Sequence, residues 1–94
     1  MTKEHFKALI LESASEMGKE IFFDLDELSL YAVQRAAHLS TITNEPGFDE
    51  AVRAERDAVA LKAGISATNA ADAADQRIIG VIHGALRIGA LALI

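Results

Sequence analysis

Histidine is the side chain in this sequence best suited to bind a transition metal or to transfer protons near neutral pH. The chain has three histidines, His5, His38 and His83. None has a glutamate or a second histidine at the spacing of a helical metal site, because neither H-E-x-x-H nor E-x-x-H occurs. The pattern therefore predicts surface or interfacial histidines rather than a metal centre.

Acidic residues form a second group with relevant chemistry, because carboxylate oxygens hold divalent cations. The segment DLDEL brings Asp24, Asp26 and Glu27 together, with Glu20 nearby. It lacks the glycine and the regularly spaced acids of a calcium-binding loop. Asp24 and Glu27 also have the capping-box spacing that begins a helix, and capping explains both residues without a metal.

No set of residues predicts covalent catalysis. The serines lie outside any G-x-S-x-G motif, and the glycines do not form a phosphate-binding loop followed by Lys-Ser or Lys-Thr. A nucleophile, a base and an oxyanion donor cannot be named together. We therefore expect a protein that is not an enzyme, with no catalytic residue, no cofactor and no metal ligand.

The charged residues argue against nucleic acid as a partner. The formal net charge is -5 at pH 7, whereas a protein that binds a phosphate backbone needs several Lys or Arg close together. The basic residues between positions 53 and 62 are interleaved with Glu55 and Asp57 and preceded by Glu50. This alternation indicates a solvent-exposed charged face.

The elements that must position these residues are all predicted to be helices. A chain of 94 residues has room for one domain, 1–94. Hydrophobic residues make up 51% of it and aromatic residues only 5%, which is typical of closely packed helices. We expect an all-α fold, a compact bundle of three to four helices completed by oligomerisation. The absence of cysteine excludes a disulfide framework.

Caps, breaks and apolar spacing predict four helices, approximately at 3–22, 25–43, 49–63 and 69–93. Thr2 and Asp24 are expected as the N-caps of the first two helices, and Asn69 as the N-cap of the fourth. The segment Asn-Glu-Pro-Gly at 44–47 separates the second helix from the third.

Two further glycines bear on the helix ends. Gly18 either ends the first helix early or only weakens it, and Gly64 is expected to end the third helix. The apolar spacing of the third helix turns Val52, Val59 and Leu61 toward the core.

The C-terminal segment GVIHGALRIGALALI, residues 80–94, has the composition of a membrane helix but not the length. The apolar stretch from Ile78 to Ile94 is only 17 residues long, and His83 and Arg87 interrupt it. The N-terminal segment is charged throughout and lacks the apolar core of a secretory signal. We therefore expect a cytoplasmic protein with no membrane span.

The fourth predicted helix has one narrow polar stripe and is apolar elsewhere. The stripe consists of Asn69, Asp72, Gln76, His83 and Arg87. A helix that is apolar over so wide an arc has to be enclosed by other helices. If one histidine has a functional role, it is His83, because the other members of the stripe could hydrogen-bond with it at an interface.

Three glycines in this helix, at 80, 84 and 89, each cost about 1 kcal/mol relative to alanine. Gly80 and Gly84 have the small-xxx-small spacing that lets two helix axes approach closely. Two interpretations remain open. The glycines either make room for side chains of the first two helices within one chain, or they lie where two chains meet.

The small size of the chain favours the second interpretation. Three alanine-rich amphipathic helices cover little of a fourth, and an exposed apolar patch beyond about 600 Å² is uncommon on a soluble monomer. We predict a homo-oligomer, most simply a twofold dimer. The predicted interface residues are Ile79, Gly80, His83, Gly84, Arg87, Ile88 and Leu91.

The stretch AERDAVALKAGISATNAADAADQRIIGVIHGALRIGALAL, residues 54–93, resembles the C-terminal half of small helical proteins from prophage and tailed-phage gene clusters. This resemblance implies an accessory or assembly protein in that setting. It carries no functional residue over to this chain.

These observations favour a non-catalytic interaction or assembly protein that self-associates through its C-terminal helix. Its partner would be a second copy or another helical protein, and we expect neither nucleic acid nor a membrane. Two alternatives stay open. One is a small ligand- or metal-binding module that uses His83, Arg87 and Asp72, or the acids from Asp24 to Glu27. The other is a membrane-active helical protein.

Overall fold

The computed structural model describes residues 1–66 and 72–92 and contains four α-helices and no β-strand within them. They are α1 (Lys3–Glu16), α2 (Leu25–Ser40), α3 (Phe48–Lys62) and α4 (Ala73–Ala92). The all-α helical bundle predicted from composition is therefore confirmed.

The core lies between a central pair of helices and two flanking ones. Both α2 and α4 pack against all the other helices, whereas α1 and α3 do not contact each other. The flanking helices α1 and α3 therefore lie on opposite sides of the α2–α4 pair. Every helix contributes large, fully buried side chains to the core: Phe6, Ile10, Leu28, Leu39, Val52, Val59, Ile78, Ile82 and Leu86.

Helices α1 and α2 begin at side-chain caps, whereas α3 begins after Gly47 without one. The Thr2 hydroxyl accepts a hydrogen bond from the His5 N–H at 3.1 Å, and the Asp24 carboxylate accepts one from the Glu27 N–H at 3.1 Å. Both predicted N-caps are thus confirmed. At the start of α4, the carboxylate of Asp72 accepts a hydrogen bond from a backbone N–H, that of Ala74, at 2.7 Å. The predicted cap Asn69, and the predicted helical positions 69–71 and 93, lie outside the described residues.

The prediction that the first helix extends to residue 22 is wrong, because α1 ends at Glu16. Gly18 adopts a φ of +65°, which turns the chain out of the helix, and the Lys19 N–H donates to the Ala14 carbonyl at 2.8 Å. Gly64, with a φ of +77°, follows the last turn of α3 in the same way, as predicted.

The second helix is also shorter than predicted, ending at Ser40 rather than at residue 43. The hydroxyls of Ser40 and Thr41 donate hydrogen bonds to the carbonyl oxygens of Ala37 and His38, at 2.5 and 2.7 Å. Side-chain bonds of this kind compete with continuation of the helix. Residues 41–47 then form turns that lead into α3.

The direction of the helices around α4 follows from contacts at their ends. Glu16, at the end of α1, forms an ion pair with Arg77, near the start of α4. Met1, before the start of α1, lies against Gly89, near the end of α4. Helix α1 therefore runs antiparallel to α4. Asp49, at the start of α3, pairs with Arg87 late in α4, so the N-terminal end of α3 also lies beside the C-terminal part of α4.

Candidate interaction surface on α4

The surface of α4 that points away from the bundle, here called the outer face, consists of Arg77, Gly80, Gly84, Arg87, Ile88 and Leu91. These positions recur at helical steps, and all are exposed except Gly84, which is half-buried. The opposite side of α4 buries Ile78, Ile82 and Leu86 completely. The other three helices thus cover about half of the circumference of α4, which is more than its apolar composition led us to expect.

Five of the seven predicted interface residues lie on the outer face. They are Gly80, Gly84, Arg87, Ile88 and Leu91. The other two are half-buried within the chain. Ile79 packs against the hydrophobic core, and His83 lies at the boundary between α4 and α3, among the arginines of both helices.

The structure separates the three glycines of α4 into two kinds. A Cβ atom built on Gly89 would lie 3.1 Å from the Cβ of Met1 and 3.3 Å from the Cβ of Ala36. A Cβ atom on Gly80 or on Gly84 would find no atom of another element of the described chain within 4 Å. Gly89 therefore makes room for packing within the chain, whereas Gly80 and Gly84 face open space.

An apolar groove runs beside the outer face, between α1 and α4, and has a volume of about 390 Å³. Met1, together with His5 and Leu9 of α1, forms one wall of the groove. Small residues of α4 form its floor: Gly84, Ala85 and Gly89. The groove exists because these positions have little or no side chain to fill the space beside α1. No pattern in the sequence predicted it, since it depends on where α1 packs.

Two large apolar side chains remain in contact with water on the outer face. Ile88 is 69% exposed and Leu91 is 44% exposed. Ile88 also lines the groove. The outer face therefore combines protruding aliphatic groups with a depression where Gly80 and Gly84 have no side chains.

Both arginines of the outer face are neutralised within the chain. Arg77 forms its ion pair with Glu16 of α1, and Arg87 forms its ion pair with Asp49 of α3. The Arg87 guanidinium also lies 5.8 Å from the centre of the Phe48 ring, within reach of a cation–π interaction. The guanidinium charges on this face are thus balanced by carboxylates of the flanking helices.

His83 is electrostatically unusual. Its Nδ1 atom is buried without a hydrogen-bond partner, the one such side-chain atom in the described part of the chain. Burial lowers the pKa of His83, and the positive charges of Arg56, Arg53 and Arg87 lower that pKa further. Asp49 acts in the opposite direction but is the weakest of these influences. The imidazole is therefore neutral at pH 7.

Two members of the polar stripe predicted around His83 have partners outside the stripe. Asp72 accepts the hydrogen bond from Ala74 at the start of α4, and Arg87 pairs with Asp49. These contacts therefore do not join His83, Arg87 and Asp72, the three residues of the predicted ligand site, to one another.

The acids between residues 24 and 27 have separate partners. Asp24 caps α2, Asp26 accepts a hydrogen bond from Lys7 at 2.9 Å, and Glu27 lies 3.1 Å from the amine of Lys62. The hydrogen bond from Lys7 holds the pKa of Asp26 below its usual value. Across residues 1–66 and 72–92, no three His, Asp or Glu side chains are grouped closely enough to hold a metal ion.

The prediction that Leu61 faces the core is wrong, since its side chain is 68% exposed. Nine residues at about 100° each place Leu61 on the opposite side of α3 from Val52, which is fully buried. Phe22 is 88% exposed, in the segment that the sequence assigned to the first helix. These two side chains form no part of the outer face.

Two further observations concern the chain as a whole rather than the outer face. None of the helices within the described ranges combines the length and the hydropathy that crossing a bilayer requires. Comparison of the chain with protein-family models, curated proteins and solved structures finds no significant match.

Proposed function

We propose that this protein is a non-catalytic, cytoplasmic interaction protein that forms a homodimer through the outer face of α4. The observation that carries the proposal is the open space at Gly80 and Gly84. Each glycine lowers helix stability by about 1 kcal/mol relative to alanine. Within the described chain, no neighbouring atom lies close enough to exclude a side chain at these two positions. A second helix packed across them would exclude one.

The apolar groups around the two glycines support the same function. Ile88 and Leu91 are exposed to water in one chain, and the groove beside them is lined mainly by apolar residues. Covering this surface would remove apolar area from water, which is worth about 25 cal/mol for each Å². A close helix–helix contact at the glycines is what brings a partner near enough to cover it.

A second copy is the partner that fits this face most simply. The open space at Gly80 and Gly84 lets two copies of this face approach closely, and that approach brings the exposed aliphatic groups of both copies, Ile88 among them, together. Repulsion between copies is reduced because Arg77 and Arg87 each have a carboxylate partner within their own chain.

The resemblance of residues 54–93 to small helical proteins of phage gene clusters supports an assembly or accessory role for this dimer. That stretch includes all of α4. In such a setting, another helical protein is the alternative occupant of the outer face.

Light scattering coupled to size-exclusion chromatography tests the proposal. We expect the wild-type chain to have twice the 10.1 kDa mass of one copy. Gly84→Leu should give the mass of a single chain while its circular dichroism stays helical, because a Cβ atom at this position meets no atom of another element of the described chain within 4 Å. Ala54→Leu, which adds the same side chain to an exposed position of α3, is the matched control and should remain dimeric.

Two results would contradict the proposal. A wild-type chain that stays monomeric at every accessible concentration would show that α4 does not mediate self-association. A Gly84→Leu variant that remains as dimeric as Ala54→Leu would place the interface elsewhere on the molecule.

A second candidate function is the binding of a small apolar ligand in the groove. The volume of about 390 Å³ lies within the range of roughly 300–1,000 Å³ typical of ligand sites. Since Gly84 and Ile88 belong to both the groove and the outer face, a ligand and a second copy would compete for the same surface. A monomeric wild-type chain would favour this candidate.

A further inference from the structure

Within residues 1–66 and 72–92, one Lys or Arg side chain forms no ion pair. The sequence contains nine Lys and Arg residues, and eight of them form ion pairs with carboxylates: Lys3, Lys7, Lys19, Arg35, Arg56, Lys62, Arg77 and Arg87. The ninth, Arg53, is exposed on α3 and has no acidic partner within the described ranges. The net charge of the protein is -5, so Arg53 is an exposed positive charge on a mainly acidic protein and is available to pair with an acidic group of a partner.

Arg53 flanks the two open glycines on the α3 side. The ion pair of Asp49 with Arg87 fixes the register of α3 against α4. Arg53 is one turn beyond Asp49 on α3, and His83 is one turn before Arg87 on α4, so the antiparallel course brings Arg53 level with His83. The influence of the Arg53 charge on the imidazole agrees with this position.

Glu12 flanks the same glycines on the α1 side. The ion pair of Glu16 with Arg77 fixes the register of α1 against α4. Glu12 is one turn before Glu16, so in the antiparallel arrangement it lies level with Val81, one turn beyond Arg77. Glu12 is exposed, and within residues 1–66 and 72–92 it forms no ion pair. An unpaired acid and an unpaired base thus lie at nearly the same height on opposite flanks of α4.

Twofold symmetry allows two ways to join the outer faces. When the twofold axis is perpendicular to α4, the two α4 helices are antiparallel and each flanking helix lies against the same helix of the other copy. Arg53 then meets Arg53 of the partner subunit, and Glu12 meets Glu12 of the partner subunit. An axis along α4 makes the α4 helices parallel and sets α1 of each copy against α3 of the other. Only the second arrangement brings opposite charges together, and it does so twice.

We propose that the occupant of the outer face is a second copy in the parallel orientation, with Glu12 of each chain paired with Arg53 of the partner subunit. This inference rests on the proposed dimer and adds its orientation and its charged contacts. Along the helix axis, both residues lie near the level of Gly80 and Gly84, where the two α4 helices cross. Rotating one helix against the other moves this level least, so the ion pairs can form over a range of crossing angles. Electrostatic complementarity of this kind selects orientation more than it adds affinity.

Charge reversal tests the pairing. Glu12→Arg and Arg53→Glu should each raise the dimer dissociation constant about tenfold at low salt, because each creates two like-charge contacts in the symmetric dimer. The double variant should return to near the wild-type constant. Glu4→Arg, which makes the same charge change at another exposed position of α1, should leave the dimer unaffected. Sedimentation equilibrium measures the dissociation constants of the four variants and of the wild type.

Spin labels test the orientation directly. The chain has no cysteine, so Ala73→Cys, at an exposed position at the start of α4, provides a single labelling site. Parallel helices place both labels at one end of the dimer. Antiparallel helices that cross at Gly84 separate them by about 33 Å along the helix axis, at 1.5 Å per residue.

The outcomes separate this inference from the proposed function. A long label distance, or a double charge variant that stays as weak as the single variants, would overturn the parallel arrangement while a dimer sensitive to Gly84→Leu remained. A dimer insensitive to Gly84→Leu would overturn both. A short label distance together with rescue by the double variant is the result we expect.

Discussion

Ala36 on α2 and Gly89 on α4 lie so close that a Cβ atom at residue 89 would be 3.3 Å from the Cβ of Ala36. Ala36 is buried in the core and cannot move aside easily. Gly84, five residues earlier on the same helix, has open space where its side chain would be. Two glycines of one helix thus have opposite packing environments, and substitution should distinguish them.

We expect Gly84→Ala to raise the free energy of unfolding of the monomer by up to about 1 kcal/mol, since alanine favours the helix and meets no obstacle. Gly89→Ala gains the same helix preference but overpacks the contact with Ala36, at a cost of about 1–3 kcal/mol. Gly89→Ala should therefore be less stable than Gly84→Ala by at least about 1 kcal/mol. Urea unfolding, at concentrations where each variant is monomeric, measures the difference.

The N-terminal contact offers a control for this comparison. Met1 is the other neighbour of Gly89, with its Cβ 3.1 Å from the position of an added Cβ. Met1→Ala keeps that Cβ, so it should not relieve the strain of Gly89→Ala, whereas Ala36→Gly removes the 3.3 Å contact and should relieve part of it. Equal stabilities of Gly84→Ala and Gly89→Ala would show that α2 and α4 separate without cost.

Protonation of His83 should destabilise the fold in mild acid. The pKa of His83 is lowered from its ordinary value of 6.5, first by burial and then by Arg56, Arg53 and Arg87. In the window just below 6.5, the unfolded chain therefore binds a proton that the folded chain does not. The free energy of unfolding should fall as the pH decreases from 6.5 toward the lower, folded-state pKa. Urea unfolding between pH 7.5 and about 5 measures the slope, in the range where an unperturbed histidine titrates.

A pair of histidine variants isolates this effect. His83→Gln removes the titrating group and should flatten the slope below pH 6.5. His83→Ala, which removes the same titrating group with a different side chain, should flatten the slope to the same extent. An unaltered slope in His83→Gln would mean that other groups cause the acid sensitivity.

Leu61 and Leu86 should respond very differently to truncation. Leu86 is fully buried, whereas Leu61 is 68% exposed. We expect Leu86→Ala to lower the free energy of unfolding by about 2–5 kcal/mol, through lost burial and the cavity left behind. Leu61→Ala should change it by less than about 0.5 kcal/mol, as for most surface substitutions. Thermal and urea unfolding of the two variants make the comparison, and a large loss in Leu61→Ala would place that side chain in the core after all.

Much of the helical framework could be predicted from the sequence because its causes are local. Thr2 and Asp24 cap their helices through hydrogen bonds to residues three positions later. Gly64 ends α3 through its own backbone conformation. The sequence did not decide whether α1 ends near Gly18 or continues to residue 22, because glycine occurs both within helices and just after their ends.

The candidate surface was predicted only in part. The spacing of Gly80 and Gly84 predicted a place where a helix could approach closely, and both residues face open space beside Ile88 and Leu91, which were predicted for the same face. The sequence could not tell that His83 lies beside α3, because the position of α3 around α4 depends on packing. For the same reason, neither the groove nor the unpaired charges on the two flanks of the outer face were predicted.

The sequence by itself determined that this chain is helical, where most of its helices begin, and which segment has the composition of an interface. Those properties depend on residues within about one helical turn of each other. Only the tertiary structure decided that Gly89 packs against Ala36 while Gly80 and Gly84 face open space. It also left Arg53 as the cation without a partner in the described ranges. Both outcomes depend on how helices distant in sequence pack around α4, and no local pattern encodes that arrangement.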